Sequence, residues 1–389
     1  MSKWEWKKLG EVCDVIAGQS PQSSAYNSEG LGLEFHQGKK AFGKRVIQPS
    51  NVWTKEYSKI AKKGDILMSV RAPVGPVNFT DREICIGRGL AAIRKTGALD
   101  ENFLFYYFIN NESNMTSKAG AVFDSINRSD IQKFIIPVPP LSEQNRIVKF
   151  LDDEFSKIDT LKTNAETNLK KAGAIFDTEL KKEFNNKKWD SKKLNDLCEL
   201  ISGYAFDSKG YSSKNEDTLL VCGDNIMHCS FRWETVKRWP KEKCYELKRF
   251  ELKDSDIVLA MDRPWIKSGL KISKITGNEL PTLLVQRTAA LRTTSHVSSD
   301  YLYYALQEKK FSDYLIDQQT GSGVPHISGK QILNFPIPLP PLSVQKEIVA
   351  RLDKLSENVK RLEANYKQII ADCDELKKSI LKKTFEGES

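Results

Sequence analysis

The sequence predicts an α+β chain (mixed α/β) that contains two copies of one unit, a globular domain followed by a long helix. The first observation is a repeated junction: IPVPPLSEQNRIVKFLD at 136–152 and IPLPPLSVQKEIVARLD at 337–353 share 11 of 17 residues. The second is that GDILMS at 64–69 and SDIVLA at 255–260 repeat in the same order. The third is an apolar period of three and four residues after each junction. Together they indicate an internal, pseudo-two-fold repeat.

Each copy opens with an amphipathic start and short strand-like segments between clusters of glycine, asparagine and serine. The strand GDILMSVR of the first copy corresponds to SDIVLAMDR of the second, and an aromatic helical stretch follows in both (FLFYYFI and YLYYALQ). The offset between matching segments grows from 185 to 201 residues, which places small insertions in loops of the second copy. The predicted globular domains span 1–140 and 185–341, and the predicted helices span 141–184 and 342–389.

The junction predicts where each helix begins. Proline pairs at 139–140 and 340–341 force an extended approach, because proline lacks an N–H donor and restricts the residue before it. We expect Ser142 and Ser343 to cap the helices, since a serine hydroxyl can accept a hydrogen bond from a free N–H of the first turn.

An apolar seam follows each junction. In the second helix it comprises Leu352, Leu355, Val359, Leu362, Tyr366, Ile369, Cys373, Leu376 and Ile380. In the first it comprises Ile147, Leu151, Ile158, Leu161, Ala165, Leu169, Ala172, Phe176 and Leu180, less regularly spaced. Such seams are typical of coiled coils, and we expect the helices to pack on each other antiparallel, because one small domain cannot cover a helix of about 60 Å. Packing of each helix on its own domain is the alternative. Gly173 either permits close packing or weakens the first helix.

Composition limits the class of protein. The net charge of +9, from 60 basic and 51 acidic residues, is compatible with a surface that contacts phosphate but does not demand one. No apolar run approaches the roughly 20 residues that span a bilayer, and MSKWEWKKLGEV has no signal-peptide core, so we expect a cytoplasmic protein. The seven cysteines form no CxxC pair, and the spacing of Cys222, His228, Cys229 and Cys244 matches no common zinc site. We predict no metal site.

Motifs for catalysis are not found. GKKAFGKR at 38–45 approaches the phosphate-loop pattern, but Arg45 stands where a serine or threonine must reach magnesium. Both Pro-Pro pairs precede leucine, so neither matches the Asn/Asp-Pro-Pro-aromatic motif of amino-methyltransferases. A catalytic triad assembled from distant residues stays open. We predict no catalytic site and a chain that is not itself an enzyme.

Polar loops occupy corresponding places in both copies and indicate contact with nucleic acid. Side-chain amides can pair with adenine edges, and arginine and lysine can pair with guanine or phosphate. Arg71 follows the strand of the first copy, and we expect Arg263, near Trp265, at the equivalent place of the second. The candidate DNA-binding residues are Gln19, Ser23, Tyr26, Gln37, Lys39, Lys44 and Arg71 in the first domain and Asn225, Arg263, Lys267, Arg287 and His326 in the second, with Gln286 and Ser322 in the same loops.

The doubled PPLSEQNRIVKFLD and PPLSVQKEIVARLD, together with SVRAPVG and the run from GSGVPHIS to NFPIPLPP, resemble the specificity (S, HsdS) subunit of type I restriction–modification enzymes. The resemblance covers essentially the whole chain. It implies two target recognition domains, each contacting half of a split double-stranded DNA sequence in the major groove, and an antiparallel coiled-coil spacer. It also implies two methyltransferase (M) partners that supply S-adenosylmethionine, restriction (R) partners that use ATP and magnesium, and no cofactor on this chain.

The two loop sets differ, with SPQSSAYN in the first copy and YAFDSKGY in the second. We therefore expect an asymmetric site with an unread interval between its halves. A coiled-coil scaffold whose domains bind protein is the alternative, and it predicts no sequence preference for DNA. An unrecognised nuclease would instead show magnesium-dependent cleavage by the chain alone.

Overall fold

The structure is a computed structural model that describes residues 4–57, 59–112, 117–118, 121–122, 125–185, 188–318 and 325–386. Its contacts divide the chain into two compact units. The first comprises Met1–Ala165 and Gln368–Ser389, and the second comprises Glu166–Lys367. Each unit therefore holds one globular domain together with a segment of each long helix.

The first domain combines two sheets with short helices. Its strands are β1 (Glu5–Lys8), β2 (Cys13–Ala17), β3 (Tyr26–Asn27), β4 (Leu33–His36), β5 (Trp53–Thr54), β6 (Ile60–Ala61), β7 (Ile66–Ser69), β8 (Val77–Phe79), β9 (Ile84–Ile86), β10 (Leu90–Lys95), β11 (Ser117–Lys118), β12 (Ala121–Val122) and β13 (Ile135–Val138). Its helices are α1 (Leu9–Val12), α2 (Glu101–Asn110) and α3 (Arg128–Gln132), and the first long helix, α4 (Leu141–Phe184), follows. One sheet has the order β2-β10-β7-β8, the other β3-β5-β4-β9-β6, and β1 pairs with β13.

The central strands of this domain are buried on both faces. In β7, Ile66 and Met68 join the cluster that packs on α2, while Leu67 between them joins the cluster on the other side of the sheet. Successive side chains of a strand point to opposite faces, so a strand covered on both sides must be apolar throughout. This explains why Ile66, Leu67 and Met68 form a continuous apolar run rather than an alternating one.

The second domain repeats the design with additions. Its strands are β14 (Ser191–Lys193), β15 (Cys198–Ser202), β16 (Thr218–Val221), β17 (Lys237–Trp239), β18 (Ile257–Ala260), β19 (Trp265–Ile266), β20 (Gly269–Leu270), β21 (Ile272–Lys274), β22 (Thr282–Leu284), β23 (Thr288–Thr293) and β24 (Pro336–Pro338). Its helices are α5 (Ser299–Gln307), α6 (Lys309–Gln318) and α7 (Gly329–Leu333), and the second long helix is α8 (Leu342–Glu386).

The two domains share one topology. The sheet β15-β23-β18-β21 corresponds strand for strand to β2-β10-β7-β8, and β14-β24 corresponds to β1-β13. The parallel pair β16 and β22 likewise corresponds to the parallel pair β4 and β9. The predicted fold class, a mixed α/β chain with two repeated domains and two long helices, is confirmed.

An ion pair with a buried aspartate recurs in both domains. Asp65 lies at the start of β7 and accepts two hydrogen bonds from Arg94, from Nε at 2.9 Å and from Nη2 at 2.7 Å. Asp256 lies at the start of β18 and accepts the same two bonds from Arg292, also at 2.9 and 2.7 Å. Two parallel N–H···O bonds fix the guanidinium plane, so each pair holds neighbouring strands in register.

Along each long helix, a row of residues spaced seven positions apart is buried. In α4 the buried row is Gln144, Leu151, Ile158, Ala165 and Ala172, and in α8 it includes Gln345, Leu352, Val359 and Cys373. Within the first unit the two helices run antiparallel, since Asp159 pairs with Lys377 while Lys162 pairs with Asp374, each at 2.6 Å. Among the described helices, none is both long and apolar enough to cross a membrane.

Part of the predicted seam is wrong. Leu161, Leu362 and Leu376 were expected in it but are 52%, 39% and 48% exposed. Each stands beside the seven-residue rows rather than in them, so alternating steps of three and four along the sequence overcounted the buried positions.

The predicted serine caps are also wrong. The helices begin at Leu141 and Leu342, and the prolines before them provide the first accepting carbonyls, so Ser142 and Ser343 lie in the first turn. A buried glutamine of each junction makes the specific contacts instead. Gln144 Oε1 accepts from Asp100 N at 2.7 Å, and Gln345 Oε1 accepts from Ser298 N at 2.9 Å.

Candidate nucleic-acid interface

Three loops of the first domain meet at one end of its sheets. They follow β2, β4 and β9. The backbone hydrogen bonds that join them are Gly18 N to Leu90 O (2.9 Å), Gln19 N to Ile86 O (2.9 Å), Gly87 N to His36 O (2.9 Å) and Gly89 N to Gln37 O (3.0 Å). A Cβ on Gly18 would lie 2.2 Å from Gly87 O, and one on Gly89 would lie 2.5 Å from Gln37 O. Only glycine permits this approach.

The meeting point exposes a compact set of polar side chains. Ser20 is its hub, because its Oγ donates to Gln37 Oε1 at 2.8 Å and accepts from Arg88 N at 3.3 Å. Gln19, Gln37 and Arg88 are exposed around it. Arg88 was missed from the sequence, although its setting between two glycines at the end of a strand was a usable signal.

Arg71 belongs to the same edge. Val70 N donates to Gly89 O at 3.0 Å, and Arg71 itself is exposed and forms an antiparallel bridge with Ser125. Lys39 opens a 3-10 turn two residues after Gln37 and is half-buried. Gln19, Gln37 and Arg71 thus lie on loops that meet around Arg88, as one polar edge of the first domain, with Lys39 two residues beyond Gln37.

Ser23 and Tyr26 flank this edge in different ways. Ser23 begins a short 3-10 turn and is exposed. Tyr26 stacks on Phe35 with ring centroids 4.8 Å apart, and its hydroxyl donates to Pro21 O at 3.1 Å. Its side chain therefore braces the loop that carries Ser20 and is not itself presented at the edge.

Lys44 is directed away from the edge. Its Nζ pairs with Asp159 of α4 at 2.6 Å, and neighbouring Arg45 donates to Asp152 of α4 at 3.1 Å and to Tyr106 Oη at 2.8 Å. Burial, and then a hydrogen bond to Asp152, raise the pKa of Tyr106 to about 12. The KR pair of GKKAFGKR thus joins the domain to its long helix, and DNA contact by Lys44, whose side chain is 74% exposed, stays a prediction.

A network of largely buried charged and polar side chains lies next to Gln37 in the chain and holds its loop. His36 contacts Glu34 (Nε2 to Oε2, 3.2 Å), and Glu34 accepts from Arg82 Nη2 at 2.7 Å. Burial lowers the pKa of His36, so its ring is neutral near pH 7. Burial would raise the pKa of Glu34, but hydrogen bonds from Arg82 and from Ser50 N–H hold it below its usual value. The ion pair between Glu34 and Arg82 therefore stabilises the loop that carries Gln37.

The second domain repeats the loop frame with other side chains. Three bonds correspond, namely Gly203 N to Thr288 O (3.1 Å), Tyr204 N to Leu284 O (2.9 Å) and Val285 N to Val221 O (2.9 Å), while Gln286 N donates to Tyr204 O (2.7 Å). Tyr204 takes the place of Gln19, and Gln286 takes that of Arg88. Both are exposed. The same backbone therefore presents two different sets of groups.

Arg287 and His326 lie together in this second edge, and an aspartate joins them. Asp262 Oδ2 lies 2.9 Å from Arg287 Nη1, and Asp262 Oδ1 lies 2.5 Å from His326 Nδ1.

The sequence interpretation placed Arg263 at the position equivalent to that of Arg71, but the antiparallel bridges pair Arg71 with Ser125 and Asp262 with His326. Asp262 is the structural counterpart of Arg71, and Arg263 is the exposed residue after it. The offset of 191 between the flanking strands already indicated this.

The remaining candidates are not gathered at this edge. Asn225 is 1% exposed, its Oδ1 accepts from Cys222 N at 3.2 Å, and its Nδ2 donates to Arg232 O at 3.1 Å. It closes a turn and presents nothing at the surface, which corrects its assignment as a DNA contact. Lys267 is exposed at the turn between β19 and β20. Ser322 lies outside the described residues.

The family model for the type I restriction modification DNA specificity domain matches residues 1–171 and again 186–371. The chain belongs to this family. The two matches correspond to the two copies of the internal repeat, and the resemblance of the doubled junction is confirmed.

Two specificity subunits and one solved chain are among the proteins similar to this chain. The putative type I restriction enzyme MjaX specificity subunit of Methanocaldococcus jannaschii is 43% identical over 153 residues, 38% of this chain and only 36% of that relative's length. The MjaVIII specificity subunit of the same organism is 28% identical over 99% of this chain and 92% of its own length. A chain solved in work on the complex assembly and conformational transition of the type I R-M system has a TM-score of 0.79 at 19% identity, covering 100% of this chain and 99% of its own. At that identity the last comparison shows the fold alone.

Proposed function

We propose that this chain is the DNA-specificity subunit of a type I restriction–modification enzyme and reads an asymmetric, bipartite duplex sequence. The observation that carries the proposal is the loop frame, which both domains build with three corresponding backbone hydrogen bonds and fill with different polar side chains. Groups on a rigid edge can specify bases, whereas their identity can vary without changing the fold. Two different sets imply two different half-sites.

In the first domain the proposed readers are Gln19, Gln37, Arg71 and Arg88. Glutamine pairs with the N6 and N7 edge of adenine, and arginine pairs with O6 and N7 of guanine, in the major groove. Lys39 and Ser23 flank them and suit phosphate contacts. In the second domain the proposed readers are Tyr204, Gln286, Arg287 and His326, with Arg263 and Lys267 at the margin.

We further propose that the chain has no catalytic or metal site of its own and acts through partners. Two M subunits would bring S-adenosylmethionine and methylate adenine, and R subunits would bring the ATP- and magnesium-dependent nuclease. The long helices would dock these partners and set the interval between the half-sites. The family membership of the chain supports this division of labour.

The test is adenine-methylation profiling in a host without other methyltransferases that produces this chain with its partner M subunit. The expected result is one motif with two unlike half-sites and a fixed interval of unread bases. Methylation without a bipartite motif, or cleavage of DNA by the isolated chain with magnesium, would contradict the proposal. The M subunit alone is the control and should leave no motif.

A further inference from the structure

The two polar edges carry opposite charge at one equivalent position. Arg71 in the first domain and Asp262 in the second each follow the central strand by two residues and each form the same type of bridge with the loop before α3 or α7. A carboxylate repels phosphate, so an aspartate on a DNA-facing edge needs a particular reason to be there.

Asp262 is committed to two neighbours. One carboxylate oxygen pairs with Arg287 and the other with His326, at 2.9 and 2.5 Å. The side chain of Asp262 is only 21% exposed, whereas those of Arg287 and His326 are 70% and 44% exposed. The carboxylate therefore lies beneath the two groups that face solvent and determines where they point.

The chemistry of the cluster suits a base edge better than a phosphate. Asp262 neutralises the charge of Arg287, which removes most of its long-range attraction for a phosphate. The donors of Arg287 that do not face Asp262 keep their planar fork, which is the geometry that matches N7 and O6 of guanine. A carboxylate only accepts, so His326 Nδ1 must donate to it, and Nε2 is left as the ring nitrogen available to a base.

Arg287 also holds an unusual backbone position. Its φ is 64°, in the left-handed region. Glycine adopts such a φ freely, whereas a side-chain-bearing residue is disfavoured by about 1 kcal/mol. A side chain retained at this cost, and held by a partly buried carboxylate, is consistent with a specific task.

We propose that Asp262 positions Arg287 and His326 as a unit that reads one G·C base pair in the second half-site. Arg287 donates to N7 and O6 of the guanine, and His326 Nε2 accepts from the N4 amino group of its cytosine partner. This donor and acceptor pattern occurs on the major-groove edge of a G·C pair. Asp262 is a positioning residue, since it touches the readers and not the base. The inference rests on the proposed function.

The test uses the complex of the full chain with its M subunit and a set of duplexes. The set carries the motif found for the wild type and single base-pair changes at every position of both half-sites. Asp262→Asn and Arg287→Lys should each lower discrimination at one G·C pair of the second half-site on the order of tenfold, and leave the first half-site unchanged. Asp262→Glu keeps the carboxylate and should lose less discrimination than Asp262→Asn.

Asp254→Asn is the matched control, because it removes one negative charge from an exposed aspartate at the opposite end of β18. It should change neither half-site. Thermal unfolding of each variant shows whether the domain itself is intact.

Phosphate binding by Arg287 gives the opposite pattern. Asp262→Asn would then strengthen binding to every duplex, and Arg287→Lys would keep both affinity and the salt dependence of binding. Either result overturns the inference. So does unchanged discrimination in Asp262→Asn while the wild type still reads a bipartite motif. If the wild type reads no such motif, the proposed function fails instead, and the two failures are distinguishable.

Discussion

At the scale of single residues, the glutamine of each PPLSxQ junction joins a long helix to its domain. Gln144 is fully buried, accepts from the backbone N–H of Asp100, the N-cap of α2, and donates to Pro139 O at 2.7 Å and to Ala98 O at 3.2 Å. Gln345 makes the same three kinds of bond in the second domain. A side-chain amide is needed because it both donates and accepts.

Replacement of this glutamine should therefore destabilise its own domain. Gln144→Ala leaves a buried N–H and buried carbonyls without partners, and we expect a loss of about 1–3 kcal/mol in the free energy of unfolding, measured by chemical denaturation. Asn145→Ala, at the next and exposed position, is the control and should stay near the wild type. A stability of Gln144→Ala equal to that of the control would show that the clamp contributes nothing.

Sequence reasoning was least effective for individual side chains. It named Gln19, Gln37 and Arg71 as candidates without predicting that they share one edge, missed Arg88 and Asp262, and misassigned Asn225. A side chain's direction depends on which distant strand lies beside it, and such pairings are not local. The repeat itself held unused information, since aligning the two copies by offset pairs Arg71 with Asp262.

At the scale of elements, the long helices show a heptad period that the sequence revealed only partly. The two helices, Leu141–Phe184 and Leu342–Glu386, begin directly after the proline pairs, as expected. The pairing of sheet strands could not be predicted, because β4 meets β9 and β2 meets β10 across many intervening residues. Local patterns locate elements better than they locate the partners of those elements.

Gly173 offers a test of the first helix. An added Cβ would meet only Glu363 Oε1, at 3.7 Å, which is ordinary contact, so glycine is not required there for close packing. Gly173→Ala should therefore raise the free energy of unfolding by about 0.5–1 kcal/mol in chemical denaturation, because alanine favours the helix. Ala174→Gly, at the next and exposed position, should lower it by a similar amount. A destabilised Gly173→Ala would indicate a packing demand that this geometry does not contain.

At the scale of the whole molecule, the chain repeats geometry and varies chemistry. The Asp–Arg pair at the strand start, the glutamine clamp, and the bonds from Tyr106 to Asp152 and from Tyr304 to Asp353 all occur once in each copy. The side chains on the loop frame differ between the copies. Duplication of a scaffold with divergence at one edge is the organisation expected of a protein that reads two unlike targets.

The claim that each domain reads its own half-site is tested most directly by methylation-motif profiling of two single variants in complex with the M subunit. Arg71→Ala should relax recognition at one half-site only and Gln286→Ala at the other, with about 1–3 kcal/mol of discrimination lost wherever a base-edge contact is removed. The interval between the half-sites should stay the same in both. If either substitution weakens both half-sites equally, the two domains do not read separately and the account is contradicted.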